Sequence, residues 1–155
     1  MEGVRPAVEA DLARLVALAQ AFRDEAGAEK GGSLWLREQI APVADEGLLR
    51  RPLEDPGAEV FVGLIDDVDV GYAVVGTSLL DDAGQLAVLH EIYVEDAARG
   101  VGVGSALLEA VVAWARERRC VGLDAFTLPG ARETKNFFEA HGLVTRLLRV
   151  HRDLT

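Results

Sequence analysis

Cysteine is almost missing from this sequence, since Cys120 is the only one among 155 residues. A single thiol excludes an internal disulfide and any cysteine-rich metal site. Aromatic residues are also few, at 6% of the chain, but 50% of the residues are hydrophobic. That composition suits a soluble globular protein, and a chain of this length fits one domain. We therefore expect one domain over residues 1–155 that builds its core unaided.

Long hydrophobic runs are absent too. Charged residues or glycines interrupt every apolar stretch, so the sequence predicts no membrane span and no membrane partner. The opening residues, MEGVRPAVEADL, are acidic and have no apolar centre, which differs from a secretory signal. We expect a cytoplasmic protein.

Positive charge is scarce: 16 basic residues face 26 acidic ones, for a formal net charge of −10. Surfaces that bind nucleic acid are basic, so this balance opposes nucleic acid as a partner. An acidic chain favours a cationic partner such as an amine, although excess acid also keeps ordinary proteins soluble. Composition alone names no substrate.

The first third of the chain has helical spacing of apolar residues. A short extended piece around Val4 precedes a predicted helix that starts near Leu12 and stops at Gly27. A second helix is predicted from a cap at Ser33, with Pro42 kinking or splitting it. The segment RRPLEDPG, residues 50–57, is predicted to be a proline-marked loop.

The rest of the chain predicts strands before and after one strong helix. Three segments rich in Val, Ile, Leu and Tyr are separated by acidic turns and predict consecutive antiparallel strands. These strands are Ala58–Ile65, Val68–Leu80 and Gln85–Glu95. The remaining predicted elements are a helix over Gly104–Arg119, a strand over Cys120–Leu128, a short helix stopped by Gly142, and one or two strands in LVTRLLRVHRDL. This order predicts a mixed α/β domain.

Three alternating glycines, Gly100, Gly102 and Gly104, lie between a predicted strand and the start of the strong helix. Without β-carbons, backbone N–H groups can converge on an oxyanion, and the helix dipole adds to the attraction. A phosphate or pyrophosphate is the natural ligand. A tight turn with no ligand is the alternative, but three alternating glycines exceed what a turn requires.

Spacing excludes two common phosphate motifs. A P-loop requires Lys and then Ser or Thr after its last glycine, but Ser105 and Ala106 follow here. A dinucleotide fingerprint starting at Gly100 requires glycine or alanine where Ser105 stands, and one starting at Gly102 meets Leu107. The preceding antiparallel strands also oppose a dinucleotide-binding fold.

The frame that fits is Arg/Gln-x-x-Gly-x-Gly/Ala, filled here by residues 99–104. With LHEIYVEDAARGVGVGSALL around it, and NFFEAHGL about 35 residues later, the sequence resembles the GNAT superfamily of acetyl-CoA-dependent N-acetyltransferases. The resemblance covers almost the whole chain. It implies an α/β (α+β) fold with a mixed central sheet of about six to seven strands and about four helices. It also implies a V-shaped splay between the strand ending at Val94 and the strand at Cys120–Leu128.

The resemblance assigns acetyl-CoA, as co-substrate, to two segments of the chain, and it implies no metal. The glycine loop is expected to bind the pyrophosphate through main-chain amides, and the splayed strand to bind the pantetheine as an added strand would. The loop residues are Arg99, Gly100, Val101, Gly102, Val103, Gly104 and Ser105, and the strand residues are Ile92, Tyr93 and Val94. Arg99 is the one loop side chain expected to add charge, with an ordinary surface arginine as the alternative.

Direct acetyl transfer requires a group that removes a proton from the amine. The resemblance favours Glu91, which alternation places on the same strand face as Tyr93 and opposite His90, Ile92 and Val94. A structural carboxylate, or one that binds a cationic acceptor, is the alternative for Glu91. His90 and His141 are other candidate bases, although His90 is expected to pack on the sheet and His141 to face solvent.

The sequence departs from the family pattern at the residue that protonates the departing coenzyme A thiolate. Many members have Phe-Tyr in the last helix, where the tyrosine protonates the departing thiolate, but this sequence has Phe137 and Phe138. Tyr93 is the candidate acid in its place, and water, Tyr72 or Thr134 are further substitutes. The missing hydroxyl also supports an alternative function, a non-catalytic acyl-CoA-binding sensor or interaction domain.

The acceptor side is expected in the segment AFRDEAGAEKGGSLWLREQ. Asp24, Glu25 and Glu29 can attract a cation and Trp35 can supply an aromatic wall, or they form an exposed helix end and a buried tryptophan. Polyamine, aminoglycoside, amino acid and protein N-terminus all remain open as acceptors. The resemblance also implies a possible homodimer.

Overall fold

Five strands form one mixed sheet in the described part of the chain, residues 1–38 and 46–155 of a computed structural model. They are β1 (Glu2–Pro6), β2 (Ala58–Ile65), β3 (Val68–Leu79), β4 (Gln85–Val94) and β5 (Leu123–Ala125). The strands lie side by side in chain order. The first four pair antiparallel, whereas β4 and β5 are parallel. The chain therefore crosses over the sheet between β4 and β5.

Five α-helices accompany the sheet in the same residues. They are α1 (Leu12–Ala28), α2 (Gly32–Glu38), α3 (Glu46–Glu54), α4 (Val103–Glu117) and α5 (Arg132–Ala140). Short 3₁₀ turns at Glu9–Asp11 and Asp96–Ala98 precede α1 and the glycine loop. None of the described helices has the length and apolar content needed to cross a bilayer.

The core consists of two apolar clusters, one on each face of the sheet. On one face, Leu107 of α4 belongs to the same cluster as Leu89 of β4, and both side chains are at most 2% exposed. On the other face, Leu18 of α1 and Leu49 of α3 share a cluster with Tyr72 of β3, and all three are at most 1% exposed. The sheet is thus covered on both sides, by α4 on one and by α1 and α3 on the other.

The three predicted antiparallel strands are confirmed almost to the residue. β2 has the predicted bounds, and β3 and β4 each end one residue earlier than predicted. Asp66 and Asp67 form the turn between β2 and β3 with positive φ values of 47° and 66°. Two successive left-handed residues are typical of a two-residue hairpin turn, whose twist matches that of the strands.

The predicted splay is confirmed at the boundary between β4 and β5. β5 is three residues long, shorter than the predicted strand over Cys120–Leu128, and its register runs from Ala87 opposite Leu123 to Leu89 opposite Ala125. Beyond Leu89, β4 continues for five more residues without a pairing partner on that side. These last residues of β4 therefore keep one backbone edge free of strand pairing.

Within residues 1–38 and 46–155 the sheet has five strands, fewer than the six to seven expected. Residues 143–155, expected to add one or two strands, have no regular secondary structure. Leu143 packs against the cluster on the α4 side, whereas most of the later apolar side chains are exposed. Val144, Leu148 and Val150 are 82%, 80% and 93% exposed. Ion pairs from Arg146 to Asp124 and from Arg149 to Glu38 hold this tail against the rest of the chain.

The prediction of a loop over residues 50–57 is wrong in its first part, since α3 continues to Glu54 through Pro52. Proline removes one helical hydrogen bond, but the fully buried Leu49 anchors α3 on the sheet. The helix ends with a bond from the Asp55 N–H to the Arg51 carbonyl at 2.9 Å. The expected kink at Pro42 lies outside the described residues.

Candidate functional site

The glycine loop, residues 99–105, runs from the 3₁₀ turn that follows β4 into the first turn of α4. Two of its three glycines adopt a conformation that favours glycine. Gly100 has φ of +83° and Gly102, which caps the helix, has φ of +98°. Gly104 lies within α4, where a β-carbon would meet Phe137 at an ordinary 3.5 Å. The loop therefore requires glycine for its backbone at positions 100 and 102 only.

The free N–H groups of this loop point out of the start of α4. The first bond of the helix runs from the Ala106 N–H to the Gly102 carbonyl at 2.9 Å. The N–H groups of Val103, Gly104 and Ser105 precede that bond, and helix geometry leaves such groups without an intrahelical acceptor. Together with the helix dipole they make a site suited to an anion.

Arg99 folds back on the strand and on α1. Its Nε donates to the Val94 carbonyl at 2.8 Å, and its Nη2 donates to both carboxylate oxygens of Glu25 at 2.9 and 2.8 Å. The guanidinium also lies over the Tyr93 ring, 5.5 Å from its centre. Arg99 thus links the glycine loop, the end of β4 and α1, and 37% of its side chain remains exposed.

A bulge in β4 corrects the predicted alternation. Val74 pairs with Glu91 and Val75 with Leu89, which leaves His90 as an extra residue. Leu89 belongs to the apolar cluster on the α4 face of the sheet (the α4-side cluster), and Ile92 packs against the same cluster. Residues three positions apart in a regular strand would lie on opposite faces. The extra residue therefore turns the strand over, and Glu91 points to the α1 side of the sheet.

His90 does not lie opposite Glu91 as predicted. A β-carbon built on Gly76 would lie 3.2 Å from the His90 Nε2, so His90 and that position of Gly76 share one face of the sheet. The neighbouring residue Val75 has its side chain on the opposite face, in the α4-side cluster. Alternation along β3 therefore places His90 on the α1 side as well. Partial burial lowers the pKa of its imidazole.

Glu91 is buried between β3 and α1. Only 6% of the residue is exposed, and the Tyr72 hydroxyl donates a 2.7 Å hydrogen bond to its Oε2. Burial raises the pKa of the Glu91 carboxyl to about 7, although the bond from Tyr72 and the charge of Arg23 both act to lower it. A carboxyl with this pKa exchanges its proton near neutral pH, as a general base must.

Tyr93 lies on the same face as Glu91, as predicted. Its hydroxyl donates to Glu25 Oε1 at 3.3 Å, and the Tyr72 and Tyr93 rings are 6.4 Å apart. Burial and then the charge of Glu25 raise the pKa of the Tyr93 phenol. Its hydroxyl is therefore protonated at neutral pH.

Aromatic rings continue from Tyr93 toward β5. The Phe22 ring lies 6.2 Å from Tyr93 and 6.0 Å from Trp35, and Trp35 lies 6.4 Å from Phe126. Phe126 directly follows β5 and is 48% exposed. Helices α1 and α2 therefore present an aromatic surface that spans from β4 to the end of β5.

The two phenylalanines of α5 have different environments. Phe138, which stands where the family often has tyrosine, is 5% exposed and belongs to the α4-side cluster. Phe137 lies against Gly104 and contacts the His141 ring, with ring centres 4.5 Å apart and the planes tilted by 50°. No hydroxyl is present at either position.

His141 was expected to face solvent, and the structure corrects this. Its Nδ1 lies 2.8 Å from the Phe137 carbonyl, so that nitrogen donates, and its Nε2 lies 3.0 Å from the Ser105 hydroxyl. The imidazole thus joins the end of α5 to the first turn of α4. The position of His141 beside the Gly142 turn suggested exposure to solvent. The contact with Ser105 could not be predicted because it depends on how α4 and α5 pack.

Sequence reasoning missed Arg23. It lies one helical turn from the buried residues Ala19 and Ala26 of α1, so this position faces the sheet. This spacing in the sequence could have indicated that Arg23 faces the sheet. In residues 1–38 and 46–155, no group of three or more His, Cys, Asp or Glu side chains is placed to hold a metal ion.

Comparison with known proteins agrees with this architecture. The tetramutant of the BH1408 protein from Bacillus halodurans has a TM-score of 0.82 at 15% identity, over 98% of this chain and 99% of that one. The aminoglycoside N-acetyltransferase AAC(6')-Iy in complex with CoA has a TM-score of 0.75 at 18% identity, over 100% and 96%. A predicted acetyltransferase with acetyl-CoA from Clostridium acetobutylicum has a TM-score of 0.75 at 15% identity, over 99% and 97%.

These structural likenesses, at low identity, show the fold. No curated protein matches the sequence. The sequence profile of the Acetyltransferase (GNAT) family matches residues 16–143, from α1 to the turn after α5. Since this match spans most of the chain, the protein belongs to the GNAT acetyltransferase family.

Proposed function

We propose that this chain is a cytoplasmic, acetyl-CoA-dependent N-acetyltransferase, one domain over residues 1–155, that transfers acetyl directly from the thioester to a primary amine. The acceptor is a small-molecule amine or an amine of a peptide or protein. The observation that carries the proposal is the position of Glu91. This buried carboxyl has a pKa of about 7 and lies on the unpaired end of β4, the strand that leads into the glycine loop.

The glycine loop binds the coenzyme A pyrophosphate in this proposal. The loop, residues 99–105, binds it through main-chain N–H groups at the positive end of the α4 dipole, with those of Val103, Gly104 and Ser105 at the helix start. The Arg99 N–H itself donates to the Asp96 carbonyl at 3.2 Å. The left-handed conformations of Gly100 and Gly102 support this assignment because they turn the backbone toward the start of the helix. Arg99 contributes charge beside the loop, although Glu25 balances part of it.

The free edge of β4 binds the pantetheine arm. Ile92, Tyr93 and Val94 have no strand partner on the β5 side, so an extended ligand can pair there as a further strand would. The Val94 carbonyl already accepts a bond from Arg99 Nε. An N–H of the same segment is then available to the thioester carbonyl. Such a donor stabilises the oxyanion that forms when the amine attacks.

Glu91 acts as the general base and Tyr93 as the general acid. The amine nitrogen forms a bond with the acetyl carbon while its proton passes to the Glu91 carboxylate. The carbon–sulfur bond then breaks, and the Tyr93 hydroxyl supplies a proton to the departing thiolate. The proton held by Glu91 returns through solvent to the Tyr93 phenolate, which restores both groups for the next turnover. An ordinary thiol has a pKa of about 8.5, so departure of the thiolate requires little help near neutral pH. The absence of a hydroxyl at Phe138 is compatible with turnover for that reason.

The test is multiple-turnover release of free thiol from acetyl-CoA in the presence of primary amines. The proposal predicts thiol release that depends on both substrates and acetylated amine in equal amount. Saturable coenzyme A binding without turnover across amines, amino acids, peptides and protein N-termini would contradict it.

That second result would support the alternative, a non-catalytic acyl-CoA-binding sensor or interaction domain. One observation favours this alternative: Phe138 is packed into the core where many family members have a tyrosine that protonates the thiolate. The glycine loop serves both functions equally, so only turnover separates them.

We also propose that the chain forms a homodimer through its C-terminal tail, residues 143–155. Five large apolar side chains in this tail are at least 75% exposed, namely Val144, Leu147, Leu148, Val150 and Leu154. The outer edge of β5 has no neighbouring strand in the described sheet. Because each copy offers both a tail and an open edge, two copies can exchange tails reciprocally.

Light scattering of the full chain tests this assembly. We expect a dimer for the wild type and a monomer for the double variant Leu147→Asp with Leu148→Asp. Leu79→Asp, at a site of similar exposure outside the tail, is the matched control and should stay dimeric. A monomeric wild type at micromolar concentration would refute the proposed dimer.

A further inference from the structure

Arg23 lies on the inner side of α1, where its charge acts on the buried Glu91. Its Nη1 is buried and has no hydrogen-bond partner among the described residues. None of the ion pairs in that part of the chain includes Arg23. This isolation is unusual because the chain has 26 acidic residues and only 16 basic ones.

The acidic residues nearest to Arg23 in α1 have other partners. Asp24 accepts a 2.9 Å hydrogen bond from Gln20, and Glu25 binds Arg99 and Tyr93. Glu91 accepts its hydrogen bond from Tyr72 and is not paired with Arg23. Arg23 is nevertheless close enough for its charge to lower the pKa of both Glu91 and Tyr72.

An unpaired guanidinium nitrogen in the interior is costly, because it has lost water without gaining an acceptor. The side chain as a whole is half-buried, so a ligand can still approach the guanidinium. Its planar set of donors matches a carboxylate, which can accept two parallel hydrogen bonds. The guanidinium of Arg23 is therefore suited to a carboxylate, and no side chain of the described residues supplies one to its Nη1.

We propose that Arg23 binds a carboxylate of the acceptor, so that the acceptor is an amine with a carboxylate close to its nitrogen, as in an α-amino acid. The inference rests on the proposed function, because the amine must lie at Glu91 for the carboxylate to reach Arg23. Phe22, Trp35 and Phe126 then face the remaining side chain of the acceptor, which favours an aromatic or apolar one.

The same arrangement disfavours two acceptor classes. A polycationic amine such as an aminoglycoside brings no carboxylate and meets the positive charge of Arg23. A peptide N-terminus has an amide where an amino acid has its carboxylate, so the guanidinium would remain without a charged acceptor. The acidic net charge of the chain therefore does not by itself identify a polycationic acceptor.

The experiment compares three acceptors with the same ring: phenylalanine, phenylalaninamide and 2-phenylethylamine. Thiol release gives kcat and KM for each with the wild type and with Arg23→Gln, Arg23→Lys and Arg37→Gln. Arg37 is an exposed arginine of α2, and Arg37→Gln is the control because it removes the same charge from a neighbouring helix. The amide has the more acidic ammonium group and so more free amine, which biases the comparison against our expectation.

We expect the wild type to prefer phenylalanine. Arg23→Gln should lower kcat/KM for phenylalanine roughly 10- to 100-fold, mainly through KM, the range for a lost hydrogen bond to a charged group. Arg23 lowers the Glu91 pKa, so the comparison is made at pH 9, where the Glu91 carboxyl is ionised in the wild type and the variants. There Arg23→Gln should change kcat/KM for 2-phenylethylamine little, Arg23→Lys should recover part of the loss on phenylalanine, and Arg37→Gln should resemble the wild type.

Two results would overturn the inference. One is a wild type that uses the amide or 2-phenylethylamine as well as phenylalanine, a result that needs no variant to fold. The other is an equal loss on all three acceptors in Arg23→Gln, which indicates a purely structural role. If no amine at all releases thiol, the proposed function fails too, whereas turnover without a carboxylate preference overturns this inference alone.

Discussion

Tyr72 donates a 2.7 Å hydrogen bond to Glu91 across the β3–β4 pair, and both residues are almost fully buried. The bond holds a carboxyl on the α1 side of the sheet, beside the unpaired end of β4. It also opposes the effect of burial, which alone would raise the pKa of Glu91 further. The geometry thus keeps this carboxyl near the protonation midpoint at neutral pH.

Replacing Glu91 removes the proposed base. Glu91→Gln should lower kcat by about 100-fold or more, within the range of general acid–base catalysis, while the affinity for coenzyme A stays nearly constant. Steady-state thiol release and calorimetric binding measure the two quantities. Glu109→Gln, an exposed glutamate of α4, is the matched control. An unchanged kcat in Glu91→Gln would exclude Glu91 as the base.

The pH dependence of kcat should follow the Glu91 carboxyl. Because the base must be ionised, kcat should rise as the pH increases through about 7 in the wild type. Tyr72→Phe removes a hydrogen bond that lowers the Glu91 pKa, so its profile should shift to higher pH. A profile that shifts to lower pH in Tyr72→Phe would show that the titrating group is not Glu91.

Stability should depend on the same carboxyl with a defined sign. Its pKa is about 7 in the folded protein and 4.5 ordinarily, so the folded state binds the proton more tightly. This contribution to folding is fully present below pH 4.5 and is lost as the pH rises through 7, by up to about 3 kcal/mol. Denaturant unfolding between pH 5 and 8 should show the wild type losing stability relative to Glu91→Gln. A constant difference between the two proteins would contradict the burial of a titrating carboxyl.

The glycine loop offers a matched pair of substitutions. Gly102→Ala forces a side chain into φ of +98°, which should cost about 1–2 kcal/mol of stability and weaken coenzyme A binding at least about tenfold. Gly104→Ala lies in α4 with ordinary contacts, and the family frame accepts alanine there, so it should retain both. Thermal unfolding and calorimetry measure the effects. Equal affinities for coenzyme A would argue against the loop as its site.

Much of this fold was predictable from local sequence. The alternating apolar residues and acidic turns between Ala58 and Val94 predicted three strands within one residue of their bounds. The glycines between β4 and α4 predicted a loop that requires glycine, and Gly100 and Gly102 have positive φ values. That this loop binds an anion stays a prediction. Both signals are local, because hairpin turns and helix starts depend on neighbouring residues.

Features that depend on register and packing were not predictable. The bulge at His90 inserts one residue against β3, and no pattern within β4 alone shows where pairing shifts. The tail has strand-like residues such as Val150, yet it forms no strand although the outer edge of β5 is open in the described sheet. Pairing between distant segments cannot be read from the local pattern of either one. Arg23 is half-buried on α1, and only the surrounding side chains of the described residues show that its Nη1 has no hydrogen-bond partner.

The most direct test of the proposed function is multiple-turnover thiol release from acetyl-CoA with a panel of primary amines, followed by mass measurement of the products. We predict one acetyl group on the amine for each thiol released, with many turnovers per protein molecule and loss of activity in Glu91→Gln. Coenzyme A binding without thiol release for any amine, or thiol release that leaves every amine unmodified, would contradict direct acetyl transfer.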